Sequence, residues 1–565
     1  MAFKPQQPDH KRISFLRNPL YVFLIFWITL FVLYLPAAKA GYIEDFLGWL
    51  DQVRNLKFID YVNRSESGIA SLYQFTQIIT YLFYKIIGVN AWGWHLLYIT
   101  LHCFNCLLIF IISRKIFYDS NIKDANVIAF GGALLFCICP HASEVVVWEP
   151  AFHYLQGLLI IFIIMWWTLQ FLHNPQNKYI WFSGILFFCS TFSLEIFYLT
   201  PWLVLLLGLY YTLVLQYDRK LLKKIVLFFF LPQIAMFILH LVLIRIVYHA
   251  NVAHIGDIPL VNKLKPFLGK QLKYLFHVLL LGRYFQEPLK SKVYAFLESS
   301  RAIAIIYSII LFICILFVIR YKKVSAKGKA IALFFALSIF PLCIITPIWF
   351  PQYFLIAYDR YLYTLVPFIF MILSLLVSYI SPSFIRVTVF SIYLLINVYF
   401  TYKVNELWKT SAAITDTLMR TMPNQPDKIV LLLDLSEYLN GAPMIGAQPE
   451  GGFKIMHNLF MPDKINNEVY DVSCFNMITP NDGAHVTVLN DSMVRVTLNQ
   501  WGTWWWYQHL GATSYENKDY KLNMKDVGHF YELTLKKPAD NYLLLFAVGD
   551  KWKIVDWNKK NIDQY

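Results

Sequence analysis

The sequence is poor in charged residues. Asp, Glu, Lys and Arg together make up 15% of its 565 residues, whereas soluble domains typically carry about 25%. The deficit accompanies long apolar runs such as Tyr21–Leu35, Leu203–Leu215 and Ile303–Ile319. With their flanks, these runs approach the roughly 20 residues that cross a bilayer. The composition therefore excludes an ordinary soluble globular protein and predicts a multi-pass integral membrane protein.

Cysteine is scarce outside the apolar segments. Of the eight cysteines, only Cys474 lies in a polar region. A single cysteine cannot form a disulfide within that region, so a disulfide framework is excluded. Cys103 and Cys106 form a C-x-x-C pattern inside an apolar helix, where a packing role is favoured over metal or redox chemistry.

The sequence also lacks internal repeats, low-complexity tracts and a clustered basic face. The formal net charge is +14, but the cations stand in short groups between apolar runs, which is typical of charges that orient membrane helices. Nucleic acid is therefore not an expected partner, whereas membrane lipids are. The N-terminal apolar run lacks a convincing cleavage pattern, and we interpret it as a retained first helix.

The apolar runs predict eleven membrane helices. If the N-terminus is cytoplasmic, every short cytoplasmic connection contains Lys or Arg, as the orientation rule for membrane proteins requires. An odd number of helices then places the C-terminal region on the opposite side. The predicted helices lie near residues 19–38, 92–113, 126–140, 154–172, 179–194, 197–216, 225–248, 302–320, 330–348, 361–380 and 386–402.

The composition changes near residue 403. We divide the chain into a membrane domain, residues 1–402, and an outward-facing domain, residues 403–565. Alternating apolar segments separated by Asn, Asp, Gly and Pro predict a small β-rich fold for the second domain. The fold class is thus an α-helical polytopic membrane protein with a β-rich extracytoplasmic domain. The predicted strands are Lys428–Leu433, Ala484–Leu489, Met493–Leu498, His529–Leu535 and Tyr542–Val548.

Ionisable residues gather at the outward ends of the predicted helices. Such groups are costly in or beside a membrane, which makes them candidate functional residues. In chain order they are Glu44, Asp45, His141, Glu144, Glu195, Asp359 and Arg360.

Four segments around these residues resemble a known enzyme family. They are Leu82–Phe110, Ala133–Trp148 (ALLFCICPHASEVVVW), Phe192–Glu195 with Pro201, and Asp359–Tyr363 (DRYLY). In this order, with the acidic pair before them, they are similar to motifs of the GT-C integral membrane glycosyltransferases. Within that superfamily they most resemble the transmembrane O-mannosyltransferases with tetratricopeptide repeats and their bacterial polyprenyl-phosphate-sugar-dependent relatives.

The sequence departs from the pattern of that family at several points. Glu44-Asp45 stands where the family usually has Asp-Asp, and Leu194 replaces a lysine. Residues 70–73 replace an Arg-Pro-Leu element, and no tetratricopeptide repeats follow the membrane part. These departures concern the donor and the acceptor more than the fold.

The resemblance implies an enzyme that transfers a sugar from a polyprenyl-phosphate donor to an acceptor hydroxyl on the extracytoplasmic face, with inversion. Asp45 matches the catalytic acid of the family, Glu44 is its neighbour, and Glu144 is a further catalytic candidate. A carboxylate in a partly desolvated pocket can act as the general base. The acceptor classes that the resemblance leaves open are protein, lipid and glycan.

The leaving polyprenyl phosphate requires positive charge and hydrogen-bond donors. We expect Arg360 to bind it, because a guanidinium matches phosphate oxygens. The alternative for Arg360 is a structural pair with Asp359. The further phosphate-binding candidates are Arg283, Lys270 and His141. The residues expected to bind the acceptor or to hold the site together are Glu195, Asp359 and Tyr361.

Three other features carry open alternatives. The loop near residues 249–301 interleaves cations with apolar residues at helical spacing, which predicts an amphipathic helix at the membrane interface that binds an anionic substrate or anionic lipid. Five aromatic residues within 501–507 serve either carbohydrate binding or packing.

No cofactor is expected, because the resembled enzymes do not require a metal. The residues that could hold a divalent metal are His141, Glu144, Glu149 and His153.

Two other functions compete with a transferase of this kind. A lipid-glycan ligase or polymerase would use a glycan as acceptor. A transporter or flippase for a lipid-linked sugar often has inverted repeats and ionisable residues near mid-membrane, whereas the acids here lie at outward helix ends. A bacterial inner membrane with a periplasmic C-terminal domain is favoured, because the outward domain has no disulfide framework and the chain has no retention signal.

Overall fold

The computed structural model describes residues 14–41, 45–62, 74–193, 198–248, 264–346, 355–356, 359–423, 425–445, 452–499, 514–526, 529–560 and 563–564. Within these ranges helices occupy the chain as far as Thr421, and strands dominate from Ile429 onward. The predicted fold class is confirmed: a helical membrane part is followed by a β-rich domain.

A helix lies at each of the eleven predicted membrane positions. Helices α1 to α18 are Pro19–Tyr34, Asp45–Asn55, Phe58–Val62, Gln74–Ile87, Ala91–Asp119, Ala125–Cys137, Ser143–Val147, Phe152–His173, Asn177–Thr191, Thr200–Leu209, Arg219–Ile225, Leu231–Tyr248, Leu264–Leu280, Glu287–Glu298, Ser300–Arg320, Ala326–Ile345, Val366–Val377 and Ser383–Thr421. The π-helical segment Tyr210–Val214 extends α10, and a second one, Val226–Phe230, joins α11 to α12.

The chain is an integral membrane protein. In the described ranges, 6 helical stretches are long and apolar enough to cross a bilayer, and a bent pair raises the number to 7. Helix α15 exposes large apolar side chains, among them Phe312 and Val318. Exposure of such side chains is unfavourable in water but not among lipid tails. Helices α1, α10 and α17 are shorter apolar helices. The count of eleven spans and the orientation remain predictions.

The bent pair positions the site. Helix α6 ends at Cys137, and the segment Pro140–Val147 continues at an angle of 53°. Pro140 opens a 3₁₀ turn there, since proline has no N–H to continue the helix. A second 3₁₀ turn, Glu149–Ala151, leads into α8. The segment is buried, and Thr401 of α18 donates a hydrogen bond to the Ile138 carbonyl, 2.6 Å away.

Helix α18 extends well past residue 402, where the domain boundary was predicted. Its 39 residues give a length of about 58 Å, roughly twice the hydrocarbon thickness of a bilayer. The hydropathy pattern detected only its apolar half, because the second half is amphipathic. That half joins the β-rich domain: Ser411 donates to the Pro443 carbonyl at 2.9 Å, and Trp552 donates to the Leu418 carbonyl at 2.7 Å.

The loops predicted to face outward contain helices of their own. The sequence predicted an amphipathic helix in the loop near residues 249–301, and α13 confirms it, with α14 packed beside it. Helices α2, α3 and α4, in the first of these loops, were not predicted. They are short or of mixed polarity, so their apolar residues do not form one long run.

The C-terminal domain contains all five predicted strands. Strands β1 to β13 are Ile429–Leu432, Leu435–Leu439, Ala442–Pro443, Val469–Asp471, Cys474–Met477, His485–Asn490, Met493–Thr497, Ser514–Glu516, Tyr520–Asp526, Phe530–Leu535, Tyr542–Val548, Lys551–Ile554 and Asp563–Gln564. Helix α19 is Gly452–Phe460.

The strands form three sheets. The first has four strands in the order β12-β11-β1-β4, in which β1 pairs in parallel with both β11 and β4. The second has three strands in the order β3-β2-β5, and the third is antiparallel with the order β13-β6-β7-β10-β9-β8.

Candidate functional site

Arg360 forms an ion pair with Glu144 of the bent segment Pro140–Val147. The Arg360 backbone N–H donates to Oε2 of Glu144 at 2.8 Å, and its guanidinium donates to Oε1. Trp148 and Tyr361 flank the guanidinium, with ring centroids 4.8 and 5.0 Å from its central carbon. The Glu144 side chain is buried, while that of Arg360 is 17% exposed. The guanidinium is thus held in one orientation with part of its surface accessible.

Asp359 pairs with Arg283 rather than with Arg360. Nε of Arg283 lies 2.8 Å from Oδ1 of Asp359, and Nδ1 of His141 lies 2.9 Å from Oδ2. Both side chains that contact this carboxylate are buried. Burial alone would lower the pKa of Arg283, but the adjacent Asp359 more than offsets this and raises it.

Both ring nitrogens of His141 face acceptors. Nδ1 faces Asp359, and Nε2 lies 3.1 Å from the carbonyl oxygen of His277 on α13. The ring therefore joins the Asp359 carboxylate to α13. The guanidinium groups of Arg283 and Arg360 lie in the same cluster. Because the Arg360 side chain is partly exposed, it is the cation of the cluster that an anion can reach.

The lysines of the loop near residues 249–301 are arranged differently. Lys270 lies half-buried on α13. Lys273 forms an ion pair with Glu298, and Lys290 lies 2.8 Å from Glu287, so both lysines are matched by acids of α14. Of the predicted phosphate-binding residues, the structure brings Arg360, Arg283 and His141 into one cluster.

Helix α5 contributes polar side chains that the sequence analysis did not single out. Tyr363, at the end of the DRYLY segment, lies 2.7 Å from Nδ1 of His102 and 3.1 Å from Nδ2 of Asn105. His102 also contacts the Cys137 carbonyl at 3.3 Å, which ties α5 to the bent pair. The available signal was spacing: His95, His102 and Asn105 lie seven and three residues apart in an apolar helix, hence on one face.

A second buried acid lies beside this helix. The Glu149 side chain is fully buried, and Oε1 lies 3.9 Å from Nε2 of His95. Within the described part of the chain, neither carboxylate oxygen of Glu149 has a hydrogen-bond partner. His95 also contacts the Ala40 carbonyl at 2.8 Å, a few residues before the acidic pair. The sequence analysis named Glu149 only as a potential metal ligand.

The acidic pair itself is described in part. Asp45 is the first residue of α2, which contacts the 3₁₀ turn Glu149–Ala151; the Asp45 side chain lies outside the described residues. Glu44, Glu195 and the aromatic group at 501–507 also lie outside them. The roles predicted for these residues therefore remain predictions.

Two further observations concern ligands. Among the described residues, no group of three or more His, Cys, Asp or Glu side chains is arranged to hold a metal ion. A shallow groove lies between the end of α1 and the start of α5. Apolar residues, including Phe31, Leu35 and Trp92, line it together with His95.

No family model matches the sequence, and no curated protein matches it. Among solved structures, the chain is similar to the crystal structure of ArnT from Cupriavidus metallidurans bound to undecaprenyl phosphate. Identity is 13%, the match covers 79% of this chain and 89% of that chain, and the TM-score is 0.32. A similarity this low carries no argument about the site or its chemistry.

Proposed function

We propose that this chain is a GT-C-type glycosyltransferase that transfers a sugar from a polyprenyl-phosphate donor to an acceptor hydroxyl on the extracytoplasmic face. The observation that carries the proposal is the contact between two segments that resemble motifs of these enzymes. Arg360 and Asp359 of one segment bind Glu144 and His141 of the other. These residues are more than 200 positions apart in the chain, and buried ionic groups brought together in a membrane protein are typical of function.

The cluster fits the leaving group of such a reaction. As the bond between the anomeric carbon and the phosphate oxygen breaks, negative charge develops on the polyprenyl phosphate. Arg360 would bind these oxygens, because Glu144 and two aromatic rings already fix its guanidinium. A donor that is oriented in advance needs no reorganisation during the reaction, which is the main source of electrostatic catalysis.

Asp45 would supply the base. It takes the proton of the acceptor hydroxyl while that oxygen attacks the anomeric carbon from the side opposite the phosphate, so that the configuration inverts and polyprenyl phosphate leaves. The family resemblance supports this assignment, and Glu44 would orient Asp45 or the acceptor. Because both oxygens of Glu144 accept hydrogen bonds from Arg360, we assign Glu144 to positioning that arginine rather than to proton transfer.

The test is release of the lipid phosphate. The purified full-length chain is incubated with radiolabelled polyprenyl-phosphate mannose and, separately, with peptide, lipid and glycan acceptors. Release of polyprenyl phosphate together with labelled acceptor supports the proposal and identifies the acceptor class; transfer to peptide would make it mannosyltransferase-like. A glycan-only acceptor indicates a ligase or polymerase. Movement of intact donor across proteoliposomes without release indicates a flippase and contradicts the proposal.

A further inference from the structure

The start of α8 presents buried polar groups toward α4 and α5. Phe152 contacts the rings of Phe83 on α4 and Tyr98 on α5, with centroids 6.1 and 5.7 Å apart. Gln156 lies one helical turn beyond Phe152 and therefore on the same face. Gln156 is buried, and its side-chain amide has no hydrogen-bond partner in the described residues. Glu149, just before α8, is buried too, and within the described residues its carboxyl oxygens accept no hydrogen bond.

Helix α4 carries polar groups on the face that includes Phe83. Thr76 lies seven residues and Thr80 three residues before Phe83, spacings that place all three side chains on one face of the helix. Both threonines are buried, and neither hydroxyl has a hydrogen-bond partner among the residues described. The faces of α4 and α8 that meet at the contact of Phe83 with Phe152 thus carry hydroxyl and amide groups without hydrogen-bond partners among the described residues, and the Glu149 carboxyl group lies just before α8.

Such a concentration is unusual. Most buried polar side chains in proteins are hydrogen-bonded, and exceptions that cluster call for an explanation. A chain that folded for stability alone would place apolar residues at these positions. Hydroxyl, amide and carboxyl groups around aromatic rings are suited to a sugar, which offers many hydroxyl groups and an apolar C–H face.

We propose that α4, α5 and the start of α8 enclose a site for a hydroxyl-rich sugar, with Glu149, Gln156, Thr76 and Thr80 as its hydrogen-bonding residues. This inference rests on the proposed function and assigns the residues that recognise the sugar of the donor. The turn that holds Glu149 contacts α2, the helix that begins at Asp45.

The experiment separates recognition of the sugar from recognition of the lipid phosphate. Binding of polyprenyl phosphate alone, and of polyprenyl-phosphate mannose, glucose and galactose, is measured on the full-length chain in detergent. The variants are Glu149→Gln, Gln156→Leu and Thr80→Val. Thr168→Val is the matched control, since Thr168 is a buried threonine about 24 Å further along α8.

We expect at least one hexose lipid to bind the parent more tightly than polyprenyl phosphate does. Glu149→Gln should reduce that preference roughly tenfold or more, because an amide offers the sugar one acceptor oxygen where the carboxyl group offers two, while binding of polyprenyl phosphate itself changes little. Glu149→Gln should also raise Tm, since a buried carboxyl group without a hydrogen-bond partner among the described residues opposes folding. A purely structural role would instead lower it.

The outcomes distinguish this inference from the proposed function. If the parent prefers a hexose lipid and all three variants keep that preference, the sugar site is overturned and the transferase proposal stands. If the parent binds no lipid of the panel, both are overturned. Should Glu149→Gln fail to purify, the outcome is decided by Gln156→Leu and Thr80→Val, because neither variant changes an ionisable group.

Discussion

Arg360 donates its backbone N–H to Oε2 of Glu144 at 2.8 Å, although Glu144 lies 216 residues earlier in the chain. The guanidinium of the same arginine donates to the other carboxylate oxygen. One residue thus uses its main chain and its side chain to hold a single buried acid. This arrangement fixes the relative position of the bent segment and the DRYLY segment.

Replacement of Arg360 should affect both stability and donor use. Arg360→Ala leaves Glu144 buried without a cation, and breaking a buried pair in this way typically costs about 3–5 kcal/mol. Arg360→Lys keeps the charge but not the planar fork that suits phosphate. We therefore expect Arg360→Ala to lower Tm and weaken donor use more than Arg360→Lys, as measured by thermal unfolding and by donor KM.

Arg301, exposed at the start of α15, provides the control, and Arg301→Ala should change neither quantity. The double variant Glu144→Gln/Arg360→Ala should be less damaging than the sum of its single changes, by about 0.5–3 kcal/mol in a pair that interacts directly. Equal, near-normal donor use by Arg360→Ala and Arg360→Lys would assign Arg360 to a structural role.

A second prediction concerns pH and the β-rich domain. Asp519 is buried, and it accepts hydrogen bonds from Tyr470 at 2.8 Å and Lys537 at 2.7 Å. Burial alone would raise the pKa of Asp519, but these hydrogen bonds outweigh it and lower the pKa below the ordinary 3.8. The carboxylate therefore contributes stability above the ordinary pKa, and this contribution is lost as pH falls through the lowered value.

Asp519→Asn should accordingly lower the unfolding temperature of the β-rich domain at pH 7. The difference from the parent should shrink as pH falls below about 4. Thermal unfolding of the full-length protein over that range measures it. Asp550→Asn, at an exposed position, should show no such pH-dependent difference. A difference for Asp519→Asn that stays constant down to the lowest pH would contradict the role given to its charge.

The elements that sequence could predict are those set by local pattern. Helix α15 is a continuous apolar run, and β6, β7 and β10 alternate between turn residues, so each was predicted close to its observed bounds. Helix α18 was predicted only in part, because hydropathy does not detect its amphipathic half. The parallel pairing of β1 with β11 joins Ile429 to Tyr542, and no local pattern specifies so distant a partner.

In the candidate site, too, local motifs were predicted but contacts between distant residues were not. Motif residues such as His141, Glu144 and Arg360 were predicted from the resemblance, but their pairing was not. Adjacency in sequence suggested Asp359 as the partner of Arg360, whereas Asp359 pairs with Arg283, which α13 and the turn after it bring across from another loop. Pairing depends on how helices pack, and a single sequence does not contain that information directly.

The orientation of the chain is the third prediction. With a cytoplasmic N-terminus and eleven spans, a periplasmic reporter fused after Tyr565 should be active, and a cytoplasmic reporter at the same place should not. A fusion after Val324, in a predicted cytoplasmic connection rich in Lys and Arg, should give the opposite result. Cytoplasmic activity of the Tyr565 fusion would overturn the topology and the side assigned to the site.

The last prediction concerns the acidic pair. Asp45→Asn should nearly abolish transfer while the protein still folds and binds donor, because asparagine keeps the size of the side chain but cannot take the proton of the acceptor. Loss of a general base typically costs about 10²–10⁴-fold in rate. Glu44→Gln should be milder, since adjacent side chains point in different directions and only one can face the pocket fully. Transfer is measured at saturating donor, with donor binding measured separately.

Two matched variants make this prediction specific. Asp60→Asn changes an exposed acid of the same loop and should leave the rate intact. Glu144→Gln should weaken donor binding and stability more than the rate at saturating donor, because Glu144 acts through Arg360. If Asp45→Asn keeps most of its rate while Glu144→Gln loses it at saturating donor, the base is Glu144. If neither variant loses activity, the acidic residues of these loops do not carry the reaction.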